Sequence, residues 1–331
     1  MTKLYSLMID AYAHITPKKF LEVLRQVSPE DCNRRIFHTP PLYDLDARFR
    51  IMDRYDGLVQ VITLGPVITE IADPTKTVEL AKYANDGLAE LVLKYPDKFV
   101  AAIASIPTND MESAMIELER AIKDLRFKGV LINSNEYGKP LSSPEFMPLY
   151  EKMSQYNLPI FIHPQRGNNT PDYEFKYNIP SIFGWPYETT LAMTHLIFGG
   201  ILEKYPNLKF ITHHGGGMVP YYEQRIIQHN AKHEMMRGDY FRELTKTPIE
   251  YYKMFYADTA IHGNVPALMC AYSFFGADHI VFGADMPLGD RYFGYRSYRQ
   301  TVNAIQKMDI TEDERKKIFA DNARKLLRLT I

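Results

Sequence analysis

Six residues able to bind a metal or move a proton fall at comparable points along the chain. His14 follows the apolar run that begins at Leu7, His163 closes "LPIFIH", His213 and His214 close "LKFITHH", Asp258 lies in "FYADT", and Asp285 closes "IVFGAD". Imidazole and carboxylate donors suit a borderline divalent ion such as zinc, with manganese, iron or cobalt as alternatives. Three or four protein ligands leave a coordination position for water or substrate, which is the arrangement of a catalytic rather than a structural metal. Asp285 could bind the ion, accept a proton, or do both in turn. Tyr12 stands two residues before His14, so on an extended strand both side chains share one face. A neutral phenol is a poor ligand, although direct coordination favours its ionised form.

Something must bring these distant residues together. Short apolar runs recur at 7–11, 59–64, 100–106, 129–133, 158–163, 208–214, 255–259 and 279–285. Between most of them lie amphipathic stretches such as "DMESAMIELERAIKDL" (110–125) and "ETTLAMTHLIFGGILEKY" (188–205), with apolar residues at helical spacing. Near-continuous apolarity, as in "VAAIASI", is what a strand buried on both faces requires, and it is typical of parallel sheets covered by helices. The expected fold is α/β: a single (β/α)₈ TIM barrel over residues 1–331, with inserted loops at the C-terminal face and a doubly wound open sheet as the alternative. In a barrel the strand ends that carry these histidines and aspartates meet at one mouth. Longer loops at 28–50, 164–187 and 286–296 follow the first, fifth and eighth strands. The aromatics of "NNTPDYEFKY" and "GDRYFGYRSY" suit a flat ligand, loop packing or a subunit contact.

The remaining polar signals are weaker. Three glycines in "HHGGGMVP" permit positive φ and close backbone approach, which raises a phosphate cradle. With no Walker Lys-Ser/Thr and no GxGxxG, a tight strand-to-helix turn is preferred, displaying His214 while His213 points elsewhere. Asp10 reads as a structural hydrogen-bonder, His195 and His229 as helix-surface or packing residues, and His262 as either structural or functional.

The chain has 331 residues, 46% hydrophobic, with a formal net charge of −1 and interspersed acids and bases. No electrostatic footprint for nucleic acid or an anionic membrane results, and a small molecule is the expected partner. Cys32 and Cys270 lie far apart, which argues against a disulfide framework or a cysteine zinc site and fits a reducing cytoplasm. No window approaches the roughly 18 apolar residues of a membrane span, and the first residues lack a signal-peptide pattern.

Five motifs, "MIDAYAHI", "ARFRIMDRYDGLVQVITLGPV", "LPIFIHP", "ETTLAMTHLIFGGILEKYPNLKFITHHGGGMVP" and "IVFGADMP", give the chain a resemblance to the amidohydrolase-related metal-dependent decarboxylases. It is most like α-amino-β-carboxymuconate-ε-semialdehyde decarboxylase, and more distantly like the γ-resorcylate and carboxyvanillate decarboxylases. The resemblance implies one divalent metal, most often Zn²⁺ with Mn²⁺ in some members. The ligands are a His-x-His or Glu-x-His pair after the first strand, a histidine after the fifth and an aspartate after the eighth. Those positions hold Tyr12 and His14, His163, and Asp285. Tyr12 departs from the family pattern, and three readings follow: it ligates as a phenolate or reaches the metal through water, leaving His14, His163 and Asp285 as the metal set; it donates a hydrogen bond or acts as general acid in a metal-free enzyme; or it marks a pseudoenzyme. The presence of His14, His163, His214 and Asp285 at the family's positions favours retained chemistry. The histidine that activates water or relays a proton falls on His214. An arginine that reaches a neighbouring subunit's site falls on Arg225, which implies a homodimer or higher oligomer. A second carboxylate-binding arginine is matched to Arg35, with Arg34, Arg48 or Arg50 as alternatives. The implied reaction is carbon–carbon lysis, removing CO₂ from an aromatic or conjugated unsaturated carboxylic acid. The alternatives are a metal-dependent hydrolase or hydratase of a lactone, amide or unsaturated acid, and a metal-free pseudoenzyme.

Overall fold

The computed structural model describes residues 6–29, 39–65, 73–166, 176–236, 244–288 and 294–331. Ten strands are present among them: β1 Met8–His14, β2 Leu58–Thr63, β3 Phe99–Ala102, β4 Ala104–Ser105, β5 Val130–Asn133, β6 Asn135–Glu136, β7 Lys139–Pro140, β8 Ile160–His163, β9 Phe210–Thr212 and β10 Tyr256–Ala257. Pairing is parallel in the orders β1-β2-β3 and β10-β9-β8-β5-β4, while β6 and β7 form a small antiparallel hairpin. The eighth apolar stretch pairs only through single parallel bridges, Ala257 with Ile280 and Ala13 with Met286. Ala11 N also donates to Phe282 O at 2.8 Å, so residues 280–286 lie between β10 and β1.

Both faces of these strands are buried, as their apolar composition requires. Ile9, Val61, Ile103, Leu131, Phe161, Ile211 and Val281 pack in one cluster, and their alternates, among them Met8, Ile62, Ile132 and Ile162, pack under the helices in another. Simple alternation would put Asp10, Tyr12 and His14 on one face. A register shift between Asp10 and Ala13 moves Tyr12 into the cluster of Ile9 and Ala11, so Asp10 faces the other way.

Helices start where the sequence supplies caps. The Asp110 side chain accepts from Ser113 N to begin Met111–Lys123, which buries Ala114, Leu118 and Ala121. The stretch expected to form one helix over 188–205 is divided into Trp185–Phe198 and Ile201–Lys204, because Gly200 takes φ 72° after Gly199 ends the first segment. The apolar run at 100–106 is likewise divided between β3 and β4, which pair with different neighbours.

Candidate active site

Three imidazoles are each tied down at Nδ1. His14 pairs in register with Thr63, and its Nδ1 lies 2.8 Å from Thr63 Oγ1. His163 Nδ1 lies 3.0 Å from the Pro164 carbonyl oxygen. His213 Nδ1 makes a short bond to Asp258 Oδ2, and Asp258 Oδ1 is held by Gly215 N at 3.0 Å and Ala260 N at 3.1 Å. These anchors leave Nε2 as the remaining valence of each ring. Asp285 Oδ1 lies 3.3 Å from His14 Nε2 and 3.2 Å from His213 Nε2.

His14 Nε2, His213 Nε2, Asp285 Oδ1, Tyr12 Oη and His214 Nδ1 are all buried without a well-directed hydrogen bond. Such orphaned atoms are rare in folded proteins and call for a specific explanation. Donor atoms of His14, His163 and His213 lie within 4.8 Å of one another, as do those of His213, His214 and Asp285. Two ligands of a tetrahedral zinc, each bonded at about 2.1 Å, stand roughly 3.4 Å apart. The separations to Asp285 match that value, and the donor set fits a divalent ion.

The electrostatics follow from burial and from charges facing each other. Burial favours a neutral Asp285, but the His213 and His14 rings outweigh it and hold the carboxyl well below its usual range. For His213, burial opposes the charge, yet Asp258 and Asp285 push the imidazole up to about 10. His163 is driven well below its usual value by burial and by His14 and His213. Burial and the adjacent His213 lower His214 to about 3, which keeps it neutral. Tyr12 is raised well above its usual value by burial and by Asp258 and Asp285, so the phenol retains its proton. Its ring stacks on His213, with centroids 4.2 Å apart and planes 9° from parallel.

The structure thus gathers Tyr12, His14, His163, His214 and Asp285, and it adds His213. The expectation that His213 points elsewhere fails: Ile211 belongs to the inner cluster, and two residues further along the chain His213 faces the same way. His214 stays beside it, with ring centroids 4.1 Å apart, because His214 and the three glycines after it all take positive φ, from 55° to 81°. The glycines answer to packing, since a Cβ on Gly216 would stand 2.6 Å from the Phe275 ring and one on Gly217 2.5 Å from the Pro186 carbonyl oxygen.

The arginines divide. Arg225 is exposed on the helix Glu223–Met236, outside the cluster, in a groove of about 360 Å³ that it lines with Tyr187, Tyr222, His229 and Tyr252. Arg35 and Arg34 lie outside the described residues, and Arg50 is exposed. Arg48 is fully buried: Nε donates to Gln60 Oε1 at 2.8 Å, and Nη1 donates to the His14 and Pro41 carbonyls at 2.7 and 2.9 Å. It braces β1 from behind and does not face a substrate. Asp10 is a structural hydrogen-bonder, accepting from Tyr12 N at 3.1 Å, Ala284 N at 3.2 Å and Tyr298 Oη at 2.5 Å. His195 contacts Ser142 Oγ at 3.3 Å, and His262 is exposed. The partnership of Asp258 with His213, and of Thr63 with His14, had no signal in the sequence beyond their positions at strand ends.

Residues 9–329 match the amidohydrolase family, and the chain belongs to it. It is 30% identical to 2-amino-3-carboxymuconate-6-semialdehyde decarboxylase of Dictyostelium discoideum over 98% of this chain and 92% of that protein. It is 31% identical to gamma-resorcylate decarboxylase of Polaromonas sp. over 86% of this chain and 87% of that one. Among solved structures, 5-carboxyvanillate decarboxylase of Novosphingobium aromaticivorans, complexed with manganese and 4-hydroxy-3-methoxy-5-nitrobenzoic acid, superposes with a TM-score of 0.85 at 26% identity. That match covers 99% of this chain and 98% of the other. The family resemblance carried by the five motifs therefore holds over nearly the whole length.

Proposed function

We propose that this protein is a metal-assisted carboxy-lyase that removes CO₂ from an aromatic or conjugated unsaturated carboxylic acid. The observation that carries the reading is the convergence of buried side-chain atoms of His14, His213 and Asp285 that no well-directed hydrogen bond satisfies, with His163 beside them, in a chain collinear with decarboxylases. A single (β/α)₈ barrel over residues 1–331 is the architecture we infer. The bridges of residues 280–286 to both β10 and β1 support it, because they link the two parallel sheets through one further segment.

His14, His163 and Asp285 would hold the ion, with zinc preferred for an imidazole-rich set and manganese as the alternative seen in a relative. When bound, the ion supplies a Lewis acid that polarises a substrate oxygen and stabilises negative charge developing as CO₂ leaves. The carbon that loses CO₂ must gain a proton. His214, neutral and packed beside His213, and Asp285 would move it. The Tyr12 hydroxyl, protonated at the same place, can donate a hydrogen bond to the substrate.

Substrate carboxylate binding is assigned to Arg35 and, across a homodimer, to Arg225. Exposed aromatics around the Arg225 helix, with Tyr221 79% and Tyr187 47% exposed, support a covered face there. No described helix is long and apolar enough to cross a membrane. A cytoplasmic location is proposed from the presence of only two cysteines, Cys32 and Cys270, far apart in the sequence.

The test is a screen of hydroxybenzoates, aminobenzoates and muconate-type acids for CO₂ release, with metal content measured on the same sample. Release without incorporation of solvent oxygen into the organic product supports the reading. Incorporation with retention of the carboxylate points to a hydrolase or hydratase instead.

A further inference from the structure

We infer that His213 is a metal ligand in this chain, occupying the role that the residue at position 12 serves in proteins with a His-x-His or Glu-x-His pair; the inference rests on the metal-assisted reading above. Tyr12 then acts as the flat surface against which the His213 ring is held, and the ligand set becomes His14, His163, His213 and Asp285.

Three observations carry this. His213 Nε2 is buried, has no well-directed hydrogen bond, and stands 3.2 Å from Asp285 Oδ1, while His14 Nε2 stands 3.3 Å from the same oxygen. Its donor atom groups with those of His14 and His163. Its other nitrogen is bonded to Asp258, whose second oxygen is fixed by two backbone N–H groups. This is the outer-shell carboxylate that orients metal-bound imidazoles. Thr63 and the Pro164 carbonyl perform the equivalent anchoring for His14 and His163, so three rings present the same nitrogen inward. The near-parallel stack of Tyr12 on His213 gives the tyrosine a role that needs no oxygen–metal bond. Three imidazoles and one carboxylate also favour zinc and cobalt over manganese, which prefers oxygen donors.

The experiment loads the purified full chain with cobalt(II) and counts imidazole ligands by X-ray absorption, alongside metal titrations of wild type, His213→Ala, Asp258→Asn and Tyr12→Phe. We expect three imidazoles in wild type and two in His213→Ala. Cobalt affinity should fall at least about 100-fold in His213→Ala and about 10–100-fold in Asp258→Asn, and stay unchanged in Tyr12→Phe. Two imidazoles in wild type, or loss of metal in Tyr12→Phe with retention in His213→Ala, overturns the assignment and leaves the metal-assisted reading standing. A wild type that binds no cobalt or zinc overturns both. Should His213→Ala fail to fold, His213→Asn takes its place, with two imidazoles expected and three overturning the assignment.

Discussion

Deleting the Tyr12 hydroxyl isolates one atom whose surroundings are unusually well defined. Tyr12 is 0% exposed, its Oη has no hydrogen-bond partner among the described residues, and its ring is fixed between His213 and Phe161. An unsatisfied buried hydroxyl costs about 1–3 kcal/mol, and Tyr12→Phe keeps the ring while removing that cost. With an unfolding entropy of about 2.1 cal/mol/K per residue, a chain of this length has roughly 0.7 kcal/mol/K in total, so the gain corresponds to about 1–4 °C in Tm. The assay is differential scanning calorimetry of chelator-treated wild type and Tyr12→Phe at neutral pH. A fall in Tm would mean instead that the hydroxyl makes a favourable interaction in the metal-free protein.

Other outcomes follow from buried charge. Burial raises Glu136 to about 7 from 4.5, against hydrogen bonds from Thr108 Oγ1 and Asn133 N. Between those values the folded state keeps a proton that the unfolded chain has lost, so stability is greatest below the lower value and falls as pH rises through the upper one, by on the order of 3 kcal/mol. Urea melts across this window should show that slope in wild type and lose it in Glu136→Gln; equal slopes would remove Glu136 from the account. Arg48 and Asp10 are opposite charges joined through Gln60 and Tyr298. Arg48→Met should cost on the order of 3–5 kcal/mol in a chemical denaturation experiment, because Asp10 and the His14 carbonyl lose their compensation; a cost below about 1 kcal/mol would show that the network relaxes freely. His214→Ala should lower turnover by at least about 100-fold with Tm preserved, and full activity would exclude His214 from proton transfer.

Much of the site was legible because strand ends are legible. Apolar runs ending in His163, His214 and Asp285 located donor groups at one end of the parallel strands, and the face each strand residue presents follows from period two. At β1 the rule held for Tyr12 and His14, whose ring centroids lie 5.6 Å apart, while the register shift between Asp10 and Ala13 that accompanies the turning away of Asp10 leaves no trace in residue types. It was sufficient at β9, however, since Ile211 facing inward implies that His213 does too. Arg48 could not be separated from its neighbouring arginines by composition. Its burial comes from sharing the inner face of the helix Leu45–Met52 with Ile51 and Met52. Arg225 was found by motif alone, and its exposed place away from the cluster is a property of the helix Glu223–Met236 that no local pattern encodes.

Metal-assisted decarboxylation is tested most simply by CO₂ evolution from an aromatic or muconate-type acid by the purified protein, before and after chelation and again after zinc or manganese is restored. Release with one CO₂ per decarboxylated product, loss on chelation and recovery with metal are expected. Turnover of such acids that retains the carboxylate and adds solvent oxygen would contradict it.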